Sequence, residues 1–177
     1  MADTPTVVLV EGESDRLALE AAAIVCGVDL TRAGVEVVAI GGATNIGRFV
    51  RTYDSVRLAA LCDVGERRLF ARHFEQGLFV CERDLEDELI RALGVERVEK
   101  VIESEGELQS LRTLQQMPFH RDRTTSEHLH RFIGSRSGRK QRYGALLASA
   151  LAADELPRPL RDLLAYVGQP SSAFRQS

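Results

Sequence analysis

The feature that most constrains the fold of this chain is a repeated unit in which a short apolar run is followed by a turn and a helical pattern. The first run, TVVLV at residues 6–10, is continuous and rich in β-branched residues, as is typical of a strand buried on both faces. Similar runs follow at residues 35–40, 57–62 and 77–81, and residues 98–102 fit a further short strand. Because helices alternate with these strands, the sequence predicts an α/β fold, a Rossmann-like parallel sheet of about four strands flanked by helices.

The second half of the chain predicts mainly helices. Residues 137–151 and 159–167 carry apolar residues at helical spacing, and residues 106–134 fit two short helices. We therefore expect a core over residues 1–105 and a mostly helical C-terminal part, residues 106–177, packed on the same domain.

Composition limits the class of protein. A chain of 177 residues that is 44% hydrophobic is sufficient for one domain with its own core. It contains no run of roughly 20 apolar residues and no signal-peptide pattern, so we expect a cytoplasmic location and no membrane contact. Cys26, Cys62 and Cys81 lie far apart in apolar segments, which predicts small core residues rather than a disulfide or zinc site.

Carboxylates follow three of the four predicted strands. Glu11 follows the first strand, Asp63 the third, and an acidic cluster at residues 82–88 the fourth. Asp15 lies at the start of the first helix, where it can face the same crevice, whereas Glu13 is interpreted as a helix cap. Ligands of parallel sheets bind outside the carboxyl ends of the strands, and clustered oxygen ligands favour Mg²⁺ or Mn²⁺ over zinc.

Basic residues are concentrated in a later segment, from Arg112 to Arg142. This segment is either a surface for phosphates or an ordinary solvated helix face, and the sequence leaves both interpretations open. The scattered histidines, among them His128 and His130, are expected at the surface.

Several short motifs resemble those of a known domain. VEGESD at residues 10–15 resembles the first motif of topoisomerase-primase (TOPRIM) domains, and CDVG at residues 62–65 resembles their DxD motif. GGATNI at residues 41–46, DLED at residues 84–87 and GRK at residues 138–140 extend the likeness. Taken together, the set resembles the TOPRIM nuclease domain of the overcoming lysogenization defect (OLD) family.

This resemblance, which covers roughly residues 6–145, implies a metal-dependent nuclease. The residues that it implies as ligands of Mg²⁺ or Mn²⁺ are Glu11, Asp15, Asp63 and Glu86. Glu11 and Lys140 are the implied catalytic residues, with Lys140 close to the scissile phosphate, where its charge would assist two cations.

Nucleic acid is the partner that this function implies, with DNA favoured over RNA. Arg136, Arg139 and Arg142, which surround Lys140 in the sequence, are expected to contact its backbone without reading its sequence.

The chain departs from the family pattern in two ways. Gly65 replaces the second Asp of DxD, which leaves three outcomes open: one metal, two weakly held metals, or binding without cleavage. OLD nucleases resemble fusions with an ATPase, but residues 42–49 lack the lysine and hydroxyl of a phosphate-binding P-loop. We therefore expect no ATP site in this chain; a separate ATPase partner or a homodimer is compatible with this interpretation.

The leading hypothesis is a stand-alone TOPRIM endonuclease that hydrolyses phosphodiester bonds of DNA, with RNA as a second candidate substrate. The alternative is a catalytically weak or inactive TOPRIM module that binds nucleic acid or a partner protein. A third interpretation, a nucleotidyl transferase of the primase type, has only the shared domain in its favour.

Overall fold

The computed structural model describes residues 5–118 and 122–168 of the chain. Its sheet contains β1 (Thr6–Val10), β2 (Val35–Ala39), β3 (Arg57–Asp63) and β4 (Leu78–Cys81). All neighbouring strands are parallel, and their order is β2-β1-β3-β4. This arrangement confirms the predicted α/β class. Because the chain leaves β1 for β2 on one side and returns to β3 on the other, the topological switch point lies between β1 and β3.

The α-helices of the described residues are α1 (Glu13–Val25), α2 (Ile46–Thr52), α3 (Arg67–Phe70), α4 (Leu85–Leu93), α5 (Val95–Ser104), α6 (Leu108–Gln116), α7 (Thr125–Gly134), α8 (Ser137–Ser149) and α9 (Arg158–Val167). Within this part of the chain, no helix combines the length and the apolar character needed to cross a membrane.

One predicted element was wrong. Residues 98–102 form part of α5 rather than a strand. Val98 and Ile102, four positions apart, are both fully buried. The helical spacing of these apolar residues therefore outweighs the preference of β-branched residues for strands. The sequence also predicts a helix over residues 66–74, and α3 forms only Arg67–Phe70 of this range.

The sheet is covered on both faces. Val8 and Val10 of β1 belong to a large core that includes buried residues of α1 and of α4 to α9. Val7 and Leu9 point to the opposite face and belong to a smaller core with residues of α2 and α3. This alternation explains why every residue of β1 is buried and why its sequence is continuously apolar.

The C-terminal helices pack against the large core, chiefly through α8 on α1. The two helices approach closely at Gly144, where an added Cβ would lie 2.9 Å from the carbonyl oxygen of Ser14. In α9, Leu160 and Leu163 are fully buried, which assigns them to the core. The boundary between the core and the helical part, near residue 105, stays a prediction.

The predicted role of the cysteines is confirmed for two of the three. Cys62 and Cys81 are buried in the cores, and Cys26 is partly buried at the end of α1. All three are free thiols.

Candidate active site

The first site residues are positioned by the turn after β1. Gly12 is the N-cap of α1, and its amide donates a hydrogen bond of 2.9 Å to Oδ2 of Asp15. This bond holds the Asp15 carboxylate at the N-terminus of α1, where the helix dipole favours negative charge. Glu13 forms ion pairs with Arg16 instead, so the prediction that Glu13 rather than Asp15 caps the helix was wrong.

The turn after β2 is bonded to the turn after β1. The amides of Gly41 and Gly42 both donate to the carbonyl oxygen of Glu11, at 3.1 Å each. Gly41 and Gly42 have φ of 71° and 114°, values that side-chain-bearing residues rarely adopt, so this turn depends on glycine. The Asn45 side chain steadies it by donating to the carbonyl oxygens of Ile40 and Gly41.

The third strand places Asp63 at the same edge of the sheet. Asp63 is the last residue of β3 and pairs in register with Cys81 of β4. Gly65, two residues later, is exposed, and an added Cβ there would meet no atom within 4 Å. The position that carries the second Asp in the DxD motif therefore faces open space in this chain.

The acidic cluster after β4 divides into two groups. Glu82, Asp87 and Glu88 form ion pairs with Arg91 of α4 and do not line the cleft; of these three, Glu88 is buried and Glu82 precedes the helix. The other two, Asp84 and Glu86, line a cleft together with the carboxylates of the preceding strands.

Asp84 has two hydrogen bonds. Its Oδ1 accepts the amide hydrogen of Asp87 at 2.8 Å, which makes it the N-cap of α4. Its Oδ2 lies 2.6 Å from Nε2 of His130 on α7, and the ring nitrogen donates this bond. A side chain that lines the cleft is thus fixed by residues of two helices.

Glu86 is the most buried of these carboxylates, with only 3% of its surface exposed. Its Oε2 lies 3.4 Å from Nζ of Lys140 and has no hydrogen-bond partner among the described residues. A buried carboxylate oxygen without a hydrogen-bond donor is costly unless a cation compensates it.

All of these groups line one cleft of about 280 Å³ at the carboxyl edge of the sheet. Its charged residues are Glu11, Asp15, Asp63, Asp84, Glu86 and Lys140. The structure therefore brings together every predicted metal ligand and the predicted catalytic lysine. A larger groove of about 910 Å³, between α1 and β2, contains none of them.

The crowding of carboxylates changes their proton affinity. Burial raises the pKa of Asp63 to about 7, and the negative charges of Asp15 and Asp84 add to this effect. Burial, together with the charge of the Glu86 carboxylate, likewise raises the pKa of Asp15 to about 6. Without a compensating cation, the cleft therefore holds protons near neutral pH.

In Asp84 and Lys140, hydrogen bonds and neighbouring charges outweigh the effect of burial on the pKa. Burial alone would raise the pKa of Asp84, but the hydrogen bonds from His130 and from the Asp87 amide outweigh burial and lower it. Burial alone would lower the pKa of the Lys140 ammonium, but the charges of Glu86 and Asp15 outweigh burial and raise it. Lys140 is accordingly a cation held within the carboxylate cluster.

The donor set fits a hard divalent cation. The cleft presents carboxylate oxygens and no thiolate, and its one buried oxygen without a hydrogen-bond partner belongs to Glu86. In the described part of the chain, however, no three acidic, imidazole or thiol groups already lie close enough to surround one ion. Cation binding would thus draw Glu11, Asp15, Asp63 and Glu86 closer together.

The predicted nucleic-acid contacts have a different environment. Arg139 and Arg142 both form ion pairs with Glu107, and Arg139 also lies 4.0 Å above the Phe132 ring. Arg136 is exposed at the N-cap of α8. Two of the three arginines are therefore held by the protein itself.

The sequence did not indicate two residues of the site. Asp84 was recognised only as part of a motif, although its position before α4 is a capping signal. His128 and His130 were expected at the surface, and this was wrong for both: His128 is buried in α7, and His130 lies partly buried against Asp84. The 46 residues that separate Asp84 from His130 explain why no local pattern reveals this pair.

A parallel sheet with this strand order, and with Glu11 and Asp63 at its switch point, defines the chain as a TOPRIM fold. Residues 4–63 match the family model described as "Overcoming lysogenization defect protein-like, TOPRIM domain". The first third of the chain thus resembles the TOPRIM domain of OLD proteins. A search of curated proteins found no match.

Solved structures show the same fold over nearly the whole chain. The C-terminal region of the Burkholderia pseudomallei OLD protein is 22% identical, covers 93% of this chain and 96% of its own, and has a TM-score of 0.65. The C-terminal region of the Xanthomonas campestris pv. campestris OLD protein is 23% identical, with coverages of 93% and 92% and a TM-score of 0.70. OLD-like TOPRIM domains are nuclease-related, and TOPRIM domains generally bind Mg²⁺.

Proposed function

We propose that this protein is a Mg²⁺- or Mn²⁺-dependent nuclease that hydrolyses phosphodiester bonds of DNA. The observation that carries the proposal is the convergence of five carboxylates and one lysine on a single cleft at the switch point of the sheet. Structural carboxylates rarely gather in this way without positive charge, because their repulsion raises their pKa values.

Four of the five carboxylates are the metal ligands in this proposal. Glu11, Asp15, Asp63 and Glu86 would hold the cation, and the Gly12 amide orients Asp15 for this. When bound, a divalent cation neutralises the phosphate and supplies a reactive water-derived nucleophile at neutral pH. Because Asp15 and Asp63 retain protons without it, cation binding releases protons and strengthens as pH rises.

Lys140 has the task of stabilising the phosphate. Its ammonium is held in the cleft by Glu86, and 43% of the side chain is exposed, so an oxygen of the substrate can reach it. A fixed positive charge beside the scissile group stabilises the additional negative charge of the transition state.

The proposal is tested with a supercoiled plasmid and a labelled single strand, incubated with purified protein in Mg²⁺, in Mn²⁺ and in chelator. Glu11→Ala should abolish cleavage, whereas Glu36→Ala, which removes an exposed carboxylate from β2, should cleave like the wild type. No cleavage by folded wild-type protein in either metal would refute the nuclease.

One observation favours a second candidate, a module that binds nucleic acid or a partner protein without cutting. Gly65 provides no carboxylate, and the neighbouring Glu66 does not line the cleft. A catalytically inactive module that still binds Mg²⁺ would show a metal-dependent rise in melting temperature, lost in Glu11→Ala, without any cleavage.

A further inference from the structure

A second surface of the protein is strongly basic. Residues 46–52, which form α2, and residues 67–73, which contain α3, carry five arginines and no Asp or Glu. These arginines, Arg48, Arg51, Arg67, Arg68 and Arg72, are all exposed. We call them the α2–α3 surface.

The two segments adjoin one another. Ile46 of α2 and Phe70 of α3 are both buried in the smaller core, beneath the exposed arginines. At the contact, a Cβ added to Gly47 would lie 3.3 Å from the His73 ring and 3.6 Å from an Arg51 nitrogen. The α2–α3 surface is therefore one patch supported by a common apolar base.

Its charges are not balanced by the protein. Among the ion pairs of residues 5–118 and 122–168, none involves an arginine of the α2–α3 surface. By contrast, Arg112 is bound by both carboxylate oxygens of Glu99, and Arg139 and Arg142 share Glu107. Four basic residues of that segment are thus paired with carboxylates, whereas none of the five arginines of the α2–α3 surface forms an ion pair within the part of the chain that the structure describes.

This surface borders the carboxylate cleft. Only the 3₁₀ turn Ala43–Asn45 separates the cleft residue Gly42 from α2. Similarly, residues 64–66 alone separate Asp63 from α3. Because α2 and α3 cover the sheet face opposite to α1 and α8, the arginines and Lys140 flank the cleft on two different sides.

We propose that the α2–α3 surface binds the backbone phosphates of the nucleic acid whose cleaved bond lies in the cleft. The inference rests on the proposed function only in taking nucleic acid as the polyanion. Exposed arginines with no acidic partner are suited to phosphates because binding releases the counterions of the nucleic acid and relieves the repulsion among the cations. The surface makes contacts with the backbone and does not read the sequence.

Binding is measured by fluorescence anisotropy of a labelled duplex and a labelled single strand in chelator, over a series of salt concentrations. Two double variants, Arg48→Gln/Arg51→Gln and Arg67→Gln/Arg68→Gln, each remove two charges from the surface. The control, Arg158→Gln/Arg161→Gln, removes two exposed charges from α9. Circular dichroism and thermal melting show whether each variant is folded.

Removing two phosphate contacts should make the negative slope of log K against log salt shallower by about 1.4 to 1.8. This change corresponds to binding that is weaker by on the order of thirtyfold at about 0.1 M salt. The control should keep the wild-type slope. Slopes and affinities of both surface variants that equal those of the control would overturn the inference, as would a wild-type protein that binds no nucleic acid. Surface-dependent binding to anionic lipid vesicles in place of nucleic acid would also overturn it.

The experiments distinguish failure of the α2–α3 surface proposal from failure of the nuclease proposal. Metal-dependent cleavage together with normal binding by the surface variants would refute the α2–α3 surface alone. Surface-dependent binding without cleavage in any metal would support the surface and refute the nuclease alone.

Discussion

At the scale of single residues, the site depends on side chains whose partners come from distant parts of the chain. Glu86 of α4 pairs with Lys140 of α8, and Asp84, the N-cap of α4, pairs with His130 of α7. Each pair links an acidic residue of the cleft to a basic group on another helix. The sequence identified Glu11 and Asp63 from their positions at strand ends and Asp15 from the start of the first helix, whereas the roles of Glu86 and Lys140 came only from the family resemblance.

Lys140 offers a direct test of the catalytic interpretation. Lys140→Ala should lower kcat by at least tenfold while nucleic-acid affinity falls less than threefold, because one of several phosphate contacts is lost but transition-state stabilisation is removed. Lys140→Arg keeps the charge and should recover part of the rate. Rates and affinities that fall by the same factor would contradict a catalytic role.

His130 is expected to act as a positioning residue for Asp84. His130→Ala removes the donor to Oδ2, which should raise the pKa of Asp84, weaken Mg²⁺ binding and reduce the free energy of unfolding by about 1 kcal/mol. His130→Gln, which retains a donor, should recover part of the Mg²⁺ affinity. Calorimetric titration measures that affinity, and an unchanged value in His130→Ala would limit His130 to a structural role.

At the scale of secondary-structure elements, the sequence predicted the strands and their ends because each strand is short, continuous and buried. It failed for α5, where β-branched residues lie at helical spacing. It left open whether the basic segment from Arg112 to Arg142 binds phosphates or is an ordinary helix face, because the acids that pair with Arg112 and Arg142 lie on α5 and in the loop before α6. Charge along a sequence therefore did not predict charge on the surface.

The contact between α1 and α8 makes a prediction at this scale. In Gly144→Ala the added Cβ would lie 2.9 Å from the Ser14 carbonyl oxygen, and this backbone atom cannot move aside easily. We expect a loss of about 1–3 kcal/mol of stability, partly offset by the better helix propensity of Ala, together with reduced cleavage because Lys140 moves with α8.

Gly138→Ala is the matched control on the same helix, since an added Cβ there meets nothing within 4 Å. It should leave stability unchanged or raise it by up to about 1 kcal/mol. Urea unfolding compares the two variants. Equal midpoints would show that α8 does not need glycine at its contact with α1.

At the scale of the whole molecule, the carboxylate cleft opposes folding when no cation is present. Its acids are brought to one edge by the ends of β1 and β3, by α1 and by the first turn of α4, so the carboxylates can move apart only if those elements move apart. The charge of the cleft and the stability of the sheet are thus coupled, and a bound cation should stabilise the entire fold.

This coupling predicts an unusual dependence of stability on pH in chelator. The pKa of Asp63 is raised to about 7 in the folded protein against 3.8 as its ordinary value, so between these limits the folded state holds more protons than the unfolded state. Stability should therefore fall as pH rises from about 4 to about 7. Because Asp63 is partly exposed to solvent, we expect a loss of only about 1–2 kcal/mol.

Asp84 changes the stability with pH in the opposite direction to Asp63, but it does so in a lower pH range. Its lowered pKa adds stability that is lost only below about pH 4, where the unfolded carboxyl gains its proton, so it does not mask the effect of Asp63. Urea unfolding at pH 5 and pH 7.5 measures the difference; Asp63→Asn should reduce it, and Mg²⁺ should stabilise the protein more at pH 7.5. Equal stability of the chelated wild type at both pH values would mean that neither burial nor the neighbouring carboxylates raise the pKa of Asp63, and the electrostatic basis for a cation in the cleft would fail with it.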